Sequence, residues 1–201
     1  MGFDMTVSIN LSPVEFRNAE LADEIIALVR EMNVVPGKID FEIKETVVMH
    51  SVDAARTILE KLHQAGFTMS LDDFGTGYSS LSYLKNFPVR KIKIDNIFIK
   101  DFVKSANDAA IVSALIAMSH SLDLRVVAEG VETEEQLRFL QDLHCDEVQG
   151  YLFAGAMPTD KATNLLLEPS AIRRMIMDYQ TDQILPLERQ QTPVGKKRVR
   201  A

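Results

Sequence analysis

The sequence FTMSLDDFGTGYSS, residues 67–80, decides the fold. Residues 67–71 predict a strand, and two aspartates and a glycine-containing turn come directly after it. The helix predicted before this strand carries its apolar residues at helical spacing and ends at Gly66, a common residue at helix C-termini. A mostly apolar strand that follows a helix is typical of a parallel sheet that is covered on both faces.

The alternation of short apolar runs and longer amphipathic runs extends in both directions from this stretch. Strands are predicted at residues 6–9, 39–43, 67–71, 91–94, 125–128 and 147–153. Helices are predicted at residues 14–32, 54–65, 78–86 and 111–122, and after Thr133, which precedes two glutamates. Strands that alternate with helices are joined by right-handed crossovers, so we expect a parallel sheet with helices outside it.

Composition and charge exclude several classes of protein. The 201 residues carry a formal net charge of -7 and a pI of about 5.1, which argues against a surface that coats polymeric nucleic acid. A single cysteine, Cys145, excludes a disulfide within the chain and a cysteine-rich zinc site. No apolar run reaches 18 residues, and the first residues do not resemble a signal peptide. We therefore expect a cytoplasmic domain, whose parent protein can still be anchored in a membrane.

Polar residues stand at the ends of nearly all the predicted strands. Those at or just beyond the C-terminal ends are Asn10, Glu42, Glu45, Asp72, Asp73, Lys93, Asp95, Glu129 and Gln149. In an α/β barrel the C-terminal strand ends converge on one rim, which is where active sites lie. The sequence therefore predicts a mouth lined by several carboxylates and one lysine.

Crowded carboxylates of this kind indicate a metal site. Like charges so close together cannot all remain ionised without compensation, and oxygen ligands suit Mg²⁺ or Mn²⁺. Two such ions can activate water and brace the oxygens of a phosphodiester, with Lys93 holding the water or neutralising developing charge. Because Asp72 and Asp73 are adjacent, we expect their side chains to leave the strand in different directions.

Six motifs in order make the chain resemble a known family. They are SINLSP (residues 8–13), FEIKET (41–46), LDDFGTGYSS (71–80), KID (93–95), AEGVET (128–133) and QGY (149–151). Over residues 7–158 they resemble the EAL domain, which hydrolyses cyclic di-GMP to the linear dinucleotide pGpG. The resemblance implies an α/β fold, a TIM-like (β/α) barrel of the EAL type, and membership of a bacterial signalling system.

The resemblance also implies roles for individual residues. Asn10, Glu42 and Asp72 would bind one Mg²⁺ or Mn²⁺ ion, and Asp72, Asp73 and Glu129 would bind a second. Lys93 would contact the attacking water, with Glu45 and Glu132 supporting the catalytic site. Gln149, Asp95 and Ser12 would bind the dinucleotide. Residues 74–80 would also make the contacts of a homodimer, and sensory or GGDEF domains are often fused to such a domain.

Two departures from the family pattern stand out. Only nine residues precede Asn10, so the Glu-Ala-Leu segment, its metal-binding glutamate and the N-terminal strand or strands of the barrel are missing. Three explanations stay open: truncation or a wrong start site, strands supplied by another chain, or a catalytically inactive module that binds cyclic di-GMP or a protein partner. The second departure is Lys44, which stands where threonine is usual and is expected either to point outward or to pair with an acid.

The predicted domain organisation is one partial domain and an extension. Residues 1–170 are assigned to the partial EAL domain, and residues 171–201 to an extension that starts as a helix and continues as a disordered basic tail. The alternative for the tail, which contains Lys196, Lys197, Arg198 and Arg200, is a segment that docks on an acidic partner.

Overall fold

The computed structural model describes residues 5–50, 52–76, 84, 87–103 and 105–168. Six parallel strands lie side by side in chain order, and each is the neighbour of the next. They are β1 (Val7–Leu11), β2 (Ile39–Lys44), β3 (Thr68–Phe74), β4 (Lys91–Ile94), β5 (Arg125–Glu129) and β6 (Glu147–Gln149). This curled parallel sheet with its helices is a half-barrel, so the predicted α/β architecture is confirmed.

Helices follow most of the strands. They are α1 (Leu21–Glu31), α2 (Glu45–His50), α3 (Val52–Gln64), α4 (Asn96–Ile99), α5 (Ala106–Ser121), α6 (Glu134–Asp142) and α7 (Thr159–Leu167). Single turns of 3-10 helix occur at Glu15–Arg17 and Pro36–Lys38. The predicted helix start at Thr133 is confirmed, because its side chain and that of Gln136 form a capping box at the beginning of α6.

The two faces of the sheet differ in character because side chains alternate along each strand. The face toward the helices is apolar, and Ile43, Leu71 and Ile92 are at most 1% exposed there. The opposite, inner face is mostly polar; it carries Ser8, Asn10, Asp40, Glu42, Ser70, Asp72, Lys91 and Lys93. The hydrophobic core therefore lies between the sheet and its helices. The polar inner face carries the side chains that can bind ligands or take part in a reaction.

Within the described residues, the first strand pairs with a neighbour on one side alone. β1 pairs with β2, and most of its residues are exposed, including Val7 and Ile9 on the apolar face. At the centre of the sheet, helices cover the apolar face. Leu59 and Leu62 of α3 are fully buried there, and the rings of Phe41 and Phe67 are 5.3 Å apart.

Two element predictions are wrong. The helix expected at residues 14–32 is interrupted, because Asn18 has an extended backbone and its side chain accepts a hydrogen bond from the N–H of Glu20, so α1 begins at Leu21. The strand expected at residues 147–153 ends at Gln149. There the backbone of Gly150 lies so close to Val131 that a side chain would collide with it.

Other predictions fall wholly or partly outside the described residues. The helix at 78–86 is one, since Leu84 alone of that segment is described, and the extension at 171–201 is another. The chain divides into two compact units, residues 1–155, which hold β1–β6 and α1–α6, and residues 156–201, which hold α7. The domain boundary at residue 170 stays a prediction. In the described part of the chain, no helix has both the length and the apolar character needed to cross a bilayer.

Candidate active site

Four adjacent strands bring charged side chains together at their C-terminal ends. Glu42 is on β2, Asp72 on β3, Lys93 on β4 and Glu129 on β5. Glu42 and Asp72 are each 7% exposed and Lys93 is 4% exposed. These side chains are not register partners, since Glu42 pairs with Ser70 and Lys93 pairs with Val127. They form a staggered row across the polar face, near the C-terminal ends of neighbouring parallel strands.

Lys93 lies at the centre of this row. Its ammonium is 2.5 Å from Glu129 Oε1, 2.6 Å from Glu42 Oε2 and 3.6 Å from Asp72 Oδ1. Burial lowers the pKa of Lys93, but its hydrogen bonds to Glu129 and Glu42 outweigh burial and raise the pKa above its ordinary value. Lys93 is therefore a permanent positive charge among three carboxylates.

The carboxyl of Glu129 has a pKa that its surroundings raise. Burial raises the pKa of its carboxyl above the ordinary value, and the nearby charges of Asp72 and Glu42 raise it further. The contact with Lys93 lowers the pKa by less than these effects raise it. Because three carboxylates surround the one ammonium of Lys93, the cluster also has a formal excess of negative charge, which a cation would relieve.

A β-bulge brings Asp72 and Asp73 to the same mouth. Leu71 pairs with Ile92 and Phe74 with Ile94, so Asp72 and Asp73 together oppose Lys93. Asp73 takes up the extra residue with a left-handed backbone, at a φ of 55°. The expectation that the two side chains diverge is therefore wrong for this strand, because oxygens of both carboxylates lie within 4.8 Å of each other and of Glu129.

The donor set at this point fits a divalent cation. Asp72, Asp73 and Glu129 each offer a carboxylate oxygen, and the three oxygens lie within 4.8 Å of one another. Asp72 Oδ1 is buried and accepts no hydrogen bond from any residue that the structure describes. Buried carboxylate oxygens without hydrogen-bond donors suit hard ions such as Mg²⁺, Mn²⁺ or Ca²⁺.

Lys44, at the end of β2, contacts the same cluster from its exposed side. Its ammonium is 2.6 Å from Asp73 Oδ2, and the two side chains are 53% and 31% exposed. The hydrogen bond and the charge of Asp73 raise the pKa of Lys44 above its ordinary value. Of the two orientations that the sequence left open for Lys44, the structure shows the one in which it pairs with an acid.

Glu45 supports the segment that follows β3. It is the first residue of α2, its side chain is 2% exposed, and its Oε2 accepts a hydrogen bond from the N–H of Gly75 at 3.3 Å. Glu45 thereby fixes the beginning of the loop that continues from Asp73. The predicted dimer contacts of residues 74–80 stay a prediction, since residues 77–80 lie outside the described residues.

The remaining predicted site residues lie around the rim. Asn10 pairs in register with Glu42, and Gln149 pairs with Glu129, so both stand next to the carboxylate row, and both are exposed. Glu132 is also exposed, and its N–H donates to Gln136 Oε1. Its predicted support of the catalytic site stays a prediction.

Asp95 and Ser12 have local structural partners. Asp95 is the N-cap of α4 and accepts a hydrogen bond from the N–H of Ile97 at 2.8 Å. Ser12 and Glu15 exchange hydrogen bonds between their side chains and main-chain N–H groups. These contacts account for the presence of both residues at strand ends, and their predicted binding of the dinucleotide stays a prediction.

Sequence reasoning underestimated one residue of the site, Lys44. The available signals were its departure from the usual threonine and its position two residues after Glu42, which puts both on one face of β2. The identity of its acidic partner was not accessible, because it depends on the bulge in β3.

Comparison with known proteins gives a consistent result. The family model described as "EAL domain" matches residues 1–156. The chain is 42% identical over 158 residues to the bifunctional diguanylate cyclase/cyclic di-GMP phosphodiesterase MucR of Pseudomonas aeruginosa, a match that covers 79% of this chain and 23% of MucR. It is 37% identical over 183 residues to the cyclic di-GMP phosphodiesterase NbdA of the same organism, covering 91% of this chain and 22% of NbdA.

Solved structures match the same region. The MucR phosphodiesterase in complex with c-di-GMP superimposes with a TM-score of 0.76 at 42% identity, covering 79% of this chain and 64% of that one. The manganese and c-di-GMP complex of Klebsiella pneumoniae BlrP1 gives a TM-score of 0.69 at 34% identity, covering 75% and 38%. The chain thus spans about a quarter of the length of the curated relatives it matches.

Proposed function

We propose that this chain, which belongs to the EAL domain family, provides the catalytic site with which the intact domain hydrolyses cyclic di-GMP to pGpG. The observation that carries the proposal is the meeting of Glu42, Asp72, Asp73 and Glu129 around two lysines at the strand ends. Relatives named as cyclic di-GMP phosphodiesterases, and a matching structure that contains c-di-GMP, support the choice of substrate.

Divalent cations complete this site in the proposal. Asp72, Asp73 and Glu129 would hold one ion, and Asn10, Glu42 and Asp72 would contribute to a second. When bound, Mg²⁺ or Mn²⁺ ions lower the pKa of water and stabilise the charge that develops on the phosphate oxygens. Between these two metals, the manganese complex among the matching structures favours Mn²⁺ as the ion to test first.

The chain's own residues supply orientation and charge. Lys93 is held by Glu42 and Glu129, so its ammonium is fixed in position to hydrogen-bond water or to neutralise charge that develops on a phosphate. Glu45 holds the start of the loop after Asp73 through Gly75. Gln149 and Ser12 are exposed near the same rim, where they can contact the dinucleotide, and Asp95 caps α4 directly after β4.

The test is turnover of cyclic di-GMP by the full-length protein with Mn²⁺ or Mg²⁺. Asp72→Ala removes a carboxylate that both ions would share, so we expect the rate to fall by at least about 100-fold. Asp53→Ala is the matched control, because it makes the same chemical change on α3, where the side chain is 95% exposed. That variant should keep the parental rate.

Two outcomes would contradict the proposal. If Asp72→Ala kept the parental rate, the assignment of Asp72 as a ligand of the divalent ions would be wrong. Binding of cyclic di-GMP in calorimetry without any turnover by the full-length protein would instead support the alternative, a catalytically inactive binding module.

A further inference from the structure

We propose that Lys44 is an internal cation that competes with the divalent ion for Asp73 and so lowers the affinity of this site for metal. The inference rests on the proposed function, because it concerns the ion assigned to Asp72, Asp73 and Glu129. Lys44 contacts the carboxylate of Asp73 and is not itself part of the row formed by Glu42, Lys93 and Glu129.

The geometry of the contact is direct. Lys44 is the last residue of β2 and the register partner of Asp72, so its side chain starts beside the bulge. Its ammonium reaches Asp73 Oδ2 at 2.6 Å, which is the length of a strong charge-assisted hydrogen bond. One oxygen of the carboxylate that a metal would use is therefore already bound to a positive charge.

The exposure of the pair makes the lysine displaceable. Lys44 is 53% exposed, whereas Lys93 is buried and tied to Glu42 and Glu129. An exposed lysine on a flexible stem can swing away into water at small cost. Of these two lysines, Lys44 is therefore the one that a divalent ion can displace from its carboxylate partner.

Competition follows from electrostatics. A divalent ion among Asp72, Asp73 and Glu129 would lie close to an ammonium that is bound to one of its own ligands, and like charges at that separation repel. Without metal, the same ammonium relieves the repulsion among the carboxylates. Both effects stabilise the metal-free site relative to the metal-bound site.

The experiment is a Mn²⁺ titration of the full 201-residue chain, followed by the EPR signal of free Mn²⁺. Lys44→Thr and Lys44→Met should each raise the affinity of the Asp72, Asp73 and Glu129 site by roughly two- to fivefold, the range expected for loss of an exposed ion pair. Lys44→Arg keeps the positive charge and the ability to pair with Asp73, so it should leave the affinity at the parental value.

A matched control separates this contact from a general loss of positive charge. Lys61 forms an ion pair with Asp23 on the helical layer, also at 2.6 Å, and its side chain is 43% exposed against 53% for Lys44. Lys61→Thr should leave the affinity for Mn²⁺ unchanged. An equal gain in Lys61→Thr and Lys44→Thr would overturn the inference.

The remaining outcomes distinguish this inference from the proposed function. Equal or weaker binding of Mn²⁺ by Lys44→Thr, compared with the parent, would overturn the competition and leave the metal site intact. Absence of Mn²⁺ binding in the parent and in every variant would overturn both the competition and the metal site.

Discussion

The two ends of the sheet both carry charged side chains, but their charges are balanced differently. At the N-terminal ends of β4, β5 and β6, Lys91 and Arg125 bind Glu147 at 3.1 Å. Close by, Asp146 lies 2.9 Å from His120 and also accepts the N–H of Val126. At this end, acids and bases meet in nearly equal numbers.

The C-terminal ends show an excess of acid. Four carboxylates, those of Glu42, Asp72, Asp73 and Glu129, meet the two ammonium groups of Lys44 and Lys93. The N-terminal ends of β4 to β6, the balanced end, therefore pair their charges with one another. The C-terminal ends of β2 to β5, the unbalanced end, retain negative charge that a divalent cation can neutralise. Local imbalance of charge, rather than the number of charged residues, therefore marks the functional end of this sheet.

The largest expected effect comes from removing the buried lysine at the unbalanced end. Lys93→Met leaves Glu42, Asp72 and Glu129 without their shared counter-ion, so we expect the free energy of unfolding of the metal-free protein to fall by about 3–5 kcal/mol. Urea denaturation measures the loss. Added Mn²⁺ should restore part of it, and an unchanged urea midpoint would show that the carboxylates do not need the lysine.

Lys91, two residues before Lys93 on β4, allows the same lysine-to-methionine change to be tested at the balanced end. Lys91→Met on β4 breaks the contact with Glu147, but Arg125 still binds that carboxylate. We expect a loss of about 1 kcal/mol in urea denaturation, and no recovery with Mn²⁺. A loss as large as that of Lys93→Met would mean that the two ends do not differ as described.

The smallest expected effect is a pH dependence at the balanced end. Burial raises the pKa of Asp146, but hydrogen bonds from His120 and the N–H of Val126 outweigh it, and the pKa is lowered below 3.8. A lowered carboxyl pKa contributes stability that is present above pH 3.8 and is lost as the pH falls through the folded-state value. Asp146→Asn should therefore be less stable than the parent at pH 6, by less than about 1 kcal/mol.

Thermal unfolding at several pH values checks this dependence. The difference between Asp146→Asn and the parent should close as the pH falls below 3.8 and through the lowered folded-state pKa of Asp146. A difference that persists or grows in acid would contradict the assignment.

The regular parts of the fold could be predicted from the sequence. The strand at residues 91–94 and the helix start at Thr133 were both predicted and are confirmed, because they depend on local apolar patterning and on a capping residue. The break at Asn18 was not predicted, because the helix was extended upstream of its apolar face, which begins at Leu21. The extended backbone of Asn18, and the hydrogen bond that its side chain accepts from the N–H of Glu20, precede the start of α1.

The candidate site could be predicted in its residue types but not in its local geometry. Positions at strand ends indicated that Glu42, Asp72 and Glu129 would share a mouth, because parallel strands align their C-terminal ends. The family resemblance already assigned Asp72, Asp73 and Glu129 to one ion. The backbone geometry that brings Asp73 beside Asp72, and the contact of Lys44 with Asp73, depend instead on how β3 pairs with β4. Such pairing is a long-range property that local sequence patterns do not contain.

The extra residue in β3 has a consequence for anyone who would transplant this site into a designed parallel sheet. Copying the two aspartates onto a regular strand would turn one of them toward the helices, where an ionised carboxylate would be buried among apolar side chains. The transplant therefore has to include the irregularity at Leu71 to Phe74, with its left-handed Asp73, as a single unit. The bulge in β3 is therefore as necessary to the site as the acidic side chains themselves.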